Sequence, residues 1–365
     1  MEQKHETYYV PEESKLPIFA SVGLFLTVFG LGSWINAISV ARKTGEDFSI
    51  TSLDGFMVFV IGLVFFCGVL YTWFATVVKE NIAGLNSAQL KRSYVWGMGW
   101  FIFSEVMFFA AFFGALYYIR TFALTWLSEG DTSALMWNDF KAEWPLMSTP
   151  DQALNGDKAT VVGPGENMSN PGLLNWFGWL PFWNTVLLLA SSVTVHMAHV
   201  SLKDKAVNKK FNIWLAVTVS LGFLFLVLQA EEYIHAYHVG LKLDSGVYGT
   251  TFFMLTGFHG LHVTLGSVML LVQLLRSVDS WLWRGLAIGG LISAYIIAFS
   301  VGQFSLMERM LIVGLACAVI IVIAFLKPKP AFSHDDCFGF EASSWYWHFV
   351  DVVWVGLFLF VYVWG

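Results

Sequence analysis

The chain has 365 residues, of which 57% are apolar, 17% aromatic and only 13% charged, with a formal net charge of −6. A soluble domain carries roughly a quarter of its residues as charged side chains, so this composition excludes one and points to a polytopic membrane protein. An acidic balance without a basic cluster argues against nucleic acid as a partner.

Apolar runs of about 20 residues, enough to cross roughly 30 Å of hydrocarbon, recur from Pro17 onwards. In lipid they must be helices, because no water satisfies an open backbone. Residues 1–17 read as a polar cytoplasmic segment. The first run, about 18–41, is too long for a signal-peptide core and no small-residue cleavage pattern follows it, so it reads as a retained span. Runs at about 54–78 and 94–119 follow. The connection 120–177 is long and acidic, with seven Asp or Glu against three Lys or Arg, and reads as a partly irregular external flap. Beyond it lie runs at about 178–200, 211–236, 247–275, 284–302, 310–326 and 342–364. The expectation is an all-α protein of nine spans forming a single membrane domain. Placing the N-terminus in the cytoplasm puts thirteen cations inside and seven outside, the latter including Arg120, Lys242 and Arg309, which favours that orientation with the C-terminus outside. Cys67, Cys317 and Cys337 offer neither a disulfide framework nor a CxxC metal site.

Ionisable groups at membrane depth are costly and serve as site hypotheses by default. Counted at 1.5 Å per residue from the cytoplasmic ends, Glu105 in FSEVMFF lies roughly 17 Å deep, His262 roughly 21 Å, Asp351 roughly 15 Å and His348 roughly 10 Å. HGLH (His259, His262), EYIH (Glu232, His235) and HFVD (His348, Asp351) each place two polar groups at i, i+3 on one helix face. Bundle di-metal sites use that spacing, but they need further carboxylates at one depth, and Glu232 with His235 falls at the outer end of its helix. The desaturase boxes HxxxH and HxxHH are absent. A polar seam of hydrogen bonds between helices, without metal, is the expected arrangement. Glu105 among Phe103, Phe108 and Phe109 either finds a partner, stays protonated or relays protons. His196 and His199 near a cytoplasmic helix end, and His235 and His238 near an external one, read as interfacial hydrogen-bonding residues. Lys79, Glu80 and Arg276 flank cytoplasmic ends, either as topology determinants or as phospholipid contacts.

GVYGTTFFMLTGFHGLHV (246–263), FGFEASSWYWHFVDVVW (338–354), FIFSEVMFF (101–109), NTVLLLASSVTV (184–195) and LQAEEY (228–233) together resemble subunit III of the cytochrome c oxidases, in the family's order and on separate helices. The resemblance covers the chain from about Phe56, apart from two insertions. It implies a seven-helix bundle, two helices set apart from five by a phospholipid-holding cleft, here enlarged by an inserted two-helix segment at 277–330. It also implies docking on subunits I and II, which hold the haem and copper, with no redox cofactor in this chain. Such a subunit supports proton-coupled oxygen reduction carried out by its partners. By resemblance, Glu105 is the family's intramembrane carboxylate, Trp73, Lys79, Glu80 and Arg276 contact lipid, and His259, His262, His348 and Asp351 form the structural seam. Ala75 and Thr76 depart from an Arg-Asp pair the family carries after Trp73, and Val200 replaces a second histidine. The inserted helices, 284–326, are a candidate docking face for a further subunit. A bacterial plasma membrane is the expected location. The alternatives are the equivalent subunit of a quinol-oxidising relative and a stand-alone transporter or proton channel. The latter should show inverted repeats or broken helices, and the sequence has neither.

Overall fold

The computed structural model describes residues 13–44, 54–129, 133–137, 140–165, 176–204, 207–300, 304–329, 332 and 336–364. Of the expected segments, residues 1–12, parts of the external connection (130–132, 138–139, 166–175) and residues 301–303 and 330 of the inserted segment lie outside the described residues.

Among the described residues nine helices are long and apolar enough to span a membrane. They are α1 (Leu16–Thr44), α2 (Phe56–Ile82), α3 (Ala88–Tyr118), α4 (Leu180–Asp204), α5 (Lys209–His238), α6 (Val247–Arg276), α7 (Trp281–Ala298), α8 (Leu306–Phe325) and α9 (Phe338–Leu357). Several run past the apolar stretch that marks them, because capping rather than hydropathy sets a helix end. The Ser87 hydroxyl accepts from Leu90 N at 3.3 Å, so α3 starts ahead of Lys91 and Arg92. Asn208 accepts from Phe211 N at 3.0 Å and opens α5. Ser305 and Glu308 form a reciprocal capping box that starts α8 four residues before the apolar run. Past Tyr118 and past Leu357 the chain continues in wider π-helical turns, Ile119–Ala123 and Phe358–Val363.

Where the sequence suggests one membrane domain, the chain divides into two compact units, Met1–Gly97 and Met98–Gly365. In the first, α1 and α2 pack along each other, with Trp34 against Phe56 and Phe59 at ring-centroid distances of 5.1 and 5.7 Å. In the second, α5 is central: it packs on α4, α6, α7 and α8, while α9 packs on α4 and α6. Trp347 of α9, fully buried, fills the space between α5 and α6. It fits because Gly222 and Gly266 face it: a Cβ at either position would lie 2.6 or 2.8 Å from the indole, so small residues here admit a large one there. Its Nε1 donates to Ser191 Oγ of α4 at 2.9 Å, and Trp354 Nε1 donates to Thr185 Oγ1 at 3.0 Å.

The α7–α8 pair leaves and rejoins the bundle at one point. Val278 and Pro328 form an isolated antiparallel bridge, and Lys329 N donates to Ser277 O at 2.8 Å. Arg309, counted above as an external loop cation, is instead buried at the start of α8. It donates to the carbonyls of Ile297 (3.1 Å), Ala298 (2.6 Å), Ser300 (2.5 Å) and Phe304 (3.1 Å). Those are orphan acceptors at the end of α7 and in the turn that follows, and Glu231 of α5 stands 4.0 Å from Nε.

The external connection is less irregular than its composition suggests. Thr149 and Gln152 form a capping box for Pro150–Asn155. The Asp151 carboxylate accepts from Thr160 N (2.6 Å), Thr160 Oγ1 (2.9 Å), Val161 N (2.9 Å) and Asn155 Nδ2 (2.7 Å). These bonds, led by those from Val161, Asn155 and Thr160, hold its pKa at about 2. Trp144 of this segment packs edge-on against Tyr248 of α6 at 5.3 Å, and Arg120 lies over the Trp144 ring at 5.8 Å.

Candidate functional site: polar pairs between helices

The polar residues singled out at membrane depth resolve into three separate constellations rather than one continuous seam. The first joins α3 to α6. Glu105 Oε2 lies 2.8 Å from His262 Nε2, and His262 Nδ1 lies 2.6 Å from the carbonyl oxygen of Phe258. A carbonyl only accepts, so Nδ1 carries a hydrogen. One further proton then occupies the gap between Nε2 and the carboxyl, on either atom, and the pair is neutral overall whichever holds it. Phe108, Phe109 and Tyr346 surround the imidazole, at 6.0, 5.0 and 6.2 Å between centroids. A low-polarity shell of this kind strengthens the pair and penalises either group left alone.

The second joins α6 to α9. His259, buried, donates from Nε2 to Val350 O at 3.2 Å, which leaves Nδ1 as an acceptor with no hydrogen-bond partner among the described residues. Its ring lies 5.0 Å from Trp354 and 5.6 Å from Phe225. HGLH therefore does not act as one chelating face: each histidine is spent on a different neighbouring helix.

The third joins α4 to α9. Ser192 Oγ lies 2.9 Å from His348 Nδ1, and Asp351 Oδ2 lies 3.5 Å from the same nitrogen. A Ser-His-Asp relay needs the carboxylate and the hydroxyl on opposite ring nitrogens; here both share one, so this trio is no nucleophilic centre. Closer to the helix ends, His199 Nε2 meets Glu341 Oε1 at 3.3 Å. Near the opposite end of α5, Gln229 Nε2 donates to Glu232 Oε2 at 3.1 Å, and Tyr233 and Thr256 share a bond of 2.8 Å between α5 and α6. Among the described residues no group of three or more His, Cys, Asp or Glu is placed to hold a metal.

The residues implied as lipid contacts differ among themselves. Trp73 and Lys79 are exposed on α2, and Glu80 beside them is half-buried. Arg276 is engaged by its own chain: its Nη1 donates to Gln273 Oε1 at 3.2 Å, and its guanidinium lies 5.5 Å over the Phe332 ring. Ser192, Ser191 and Arg309 were not legible as site residues. The NTVLLLASSVTV motif contains the two serines without saying which way they face. Arg309, next to Glu308 in the first turns of α8, entered the sequence reading only through the cation count.

A membrane bundle with ionisable groups paired across helix boundaries defines a polytopic integral membrane protein. The model of the family "Cytochrome c oxidase subunit III" matches residues 6–127, 172–301 and 293–365. The span 128–171, most of the external connection, lies outside the match, and the two later matches overlap at 293–301, within α7 and the turn after it. Curated proteins named cytochrome c oxidase subunit 3 are similar over essentially their whole lengths. That of Struthio camelus is 30% identical over 367 residues, covering 100% of both chains; that of Drosophila melanogaster is 29% identical over 360, covering 98% of this chain and 97% of the relative; that of Mus musculus is 29% identical over 364, covering 99% of each. The chain belongs to the cytochrome c oxidase subunit III family. It functions as a membrane subunit of a cytochrome c oxidase complex in respiratory electron transport, with other subunits of that complex as partners.

Proposed function

We propose that the chain is a non-redox scaffold. It docks on subunits I and II, which hold the haem and copper, and supports assembly and sustained proton-coupled oxygen reduction without a catalytic centre of its own. The observation that carries this reading is the Glu105–His262 pair. Both imidazole nitrogens of His262 are committed to protein partners at 2.6 and 2.8 Å, so the most metal-like motif in the sequence is used to hold α6 against α3. The inserted α7–α8 pair and the long external connection are additions to the family's bundle. Phospholipid headgroups are bound at Trp73, Lys79 and Glu80 at the end of α2 and, separately, at Arg276. With Arg309 taken up inside the fold, thirteen cations against six favour a cytoplasmic N-terminus and an external C-terminus, in a bacterial plasma membrane.

The test is purification through a tag on this chain, followed by haem spectra, metal analysis and lipid analysis of what comes with it. Copurification with haem-bearing subunits, with no metal remaining on this chain after it is dissociated, is the expected result. A homogeneous single-chain oligomer defeats the reading.

A further inference from the structure

In a chain that spans a membrane, the lipid-facing surface should be apolar, because a polar side chain turned towards hydrocarbon leaves its hydrogen bonds unmade. The outer faces of the inserted helices obey this: Ile288, Ile292 and Ile296 of α7 and Leu311 and Leu315 of α8 are all exposed. One other face does not. On α9, Trp345, His348, Val352 and Val355 lie along one stripe at helical spacing, and on α4 the exposed Leu189 and Val193 flank Ser192.

Within this apolar surface the His348 side chain is 41% exposed. Only its Nδ1 is engaged; Nε2 has no partner among the described residues. Behind it, Asp351 is 5% exposed and both its carboxylate oxygens are sealed from the surface, with Ser192 and His348 as the polar groups that face it and Oδ2 3.5 Å from His348 Nδ1. One turn along α4 from Ser192, His196 is exposed and likewise makes no hydrogen bond among the described residues. His348 lies roughly 10 Å into the apolar run that starts at about residue 342, within a hydrocarbon core roughly 30 Å thick whose acyl chains satisfy no hydrogen bond.

We infer that the α4–α9 face bearing Ser192, His348 and Asp351 is the seat of another membrane subunit of the complex, one whose transmembrane helix brings a hydrogen-bond donor to this group. The imidazole selects the donor's chemistry. The Asp351 carboxylate faces Nδ1, so Nδ1 carries the hydrogen and the unpartnered Nε2 is left as an acceptor, which takes a hydroxyl, an indole N–H or a cationic side chain and is not served by a carboxylate. The same comparison assigns the α7–α8 surface to lipid, so the inserted pair thickens the bundle away from the seat. This rests on the reading of the chain as a docked subunit, and it names the face that docks.

The test places p-benzoyl-phenylalanine at Val352, 71% exposed beside His348, and at Ile292, 56% exposed on α7, in the tagged full chain. The complex is illuminated in native membranes and then purified. The expected result is an adduct between this chain and another subunit from Val352, and only lipid adducts from Ile292. Lipid adducts alone from Val352, or an adduct within the chain to α1 or α2, overturn the inference, as do subunit adducts from Ile292 alone. A second measurement does not depend on the probe: His348→Leu should reduce the fraction of chain retained with its partners in detergent at least several-fold while leaving its membrane level unchanged, and unchanged retention counts against the seat. If haem-bearing subunits fail to accompany even the unmodified chain, the docked-subunit reading itself falls; if they accompany it while Val352 labels lipid only, this inference alone does.

Discussion

Replacing His262 with leucine removes the partner of Glu105 and leaves a carboxyl at membrane depth among aromatic rings. In soluble proteins a hydrogen bond to an ionised group contributes about 1.5–3 kcal/mol. Between membrane helices the measured couplings average about 0.6 and reach about 1.7 kcal/mol, because helices separated in the bilayer find other partners for their polar groups. The Glu105–His262 distance of 2.8 Å and the second anchor of the ring at Phe258, 2.6 Å away, place this pair at the upper end of the membrane range. The expected coupling is about 1–1.7 kcal/mol, a factor of about 5 to 20. The assay is a double-mutant cycle of Glu105→Leu, His262→Leu and the double variant, read as retention of the chain in the purified complex across a detergent-denaturant titration. The double variant should be nearer to the parent than the sum of the singles predicts. Glu105→Gln, whose amide can still hydrogen-bond the imidazole, should leave assembly largely intact and change oxygen-reduction turnover only modestly. Strict additivity, with coupling below about 0.3 kcal/mol, would refute the pair as an interhelical tie. Complete loss of oxygen reduction by an assembled Glu105→Gln complex would refute the supporting role.

Arg309→Leu orphans the carbonyls at the end of α7 and leaves Glu231 without its nearest cation, and a buried network broken on one side costs about 3–5 kcal/mol; protease sensitivity in the α7–α8 turn should rise sharply, with Arg309→Lys rescuing only part of it. Acidification should open the external connection. The Asp151 pKa is lowered to about 2, against about 4 for an unperturbed carboxyl, so its contribution is fully present above about pH 4 and lost as pH falls through about 2. Hydrogen exchange at the Thr160 and Val161 amides should accelerate in that window, and Asp151→Ala should show the fast exchange already at neutral pH. Burial, and next the neighbouring Glu341, push the Cys337 thiol up to about 11, leaving about one thiolate per thousand at pH 8; maleimide labelling there should be slow and climb towards pH 11. Because Val278 and Pro328 already touch, excising 280–327 and closing the gap with a two-residue linker should leave the rest of the bundle in the complex, and loss of the shortened chain from the complex would contradict an added, lipid-facing pair.

The nine spans were legible because hydrocarbon imposes a length on apolar runs that propensity alone does not. Their ends were less so: at Ser87 and Ser305 the helix begins where a hydroxyl caps it, in a stretch that hydropathy reads as loop. Depth along a helix could be counted, and it brought Glu105 and His262 to nearly one level. Rotation about the helix axis could not be read to the few tens of degrees that decide which neighbour a side chain meets. Hence HGLH looked like one face, while in the folded chain His262 turns to α3 and His259 to α9. Arg309 shows the same limit from the other side: a single cation at a helix start counts towards topology until neighbouring carbonyls take up its hydrogens.

WYWHFVDVVW, residues 345–354, concentrates the division of labour in this fold. Trp347 and Trp354 point inward, onto Gly222 and Gly266 in one case and onto Phe225 and His259 in the other, and each gives its indole hydrogen to a hydroxyl of α4. That side of α9 is satisfied within the chain. His348, one residue on from Trp347 and backed by the buried Asp351, keeps an unmatched Nε2 beside the exposed Val352. Lipid cannot supply what it lacks, since acyl chains neither donate nor accept. A helix whose inner face is complete and whose outer face is polar but unfinished is one whose folding continues at assembly: the partner that finishes it is selected by the donor it carries, and a chain left unassembled keeps an unpartnered imidazole nitrogen turned towards hydrocarbon.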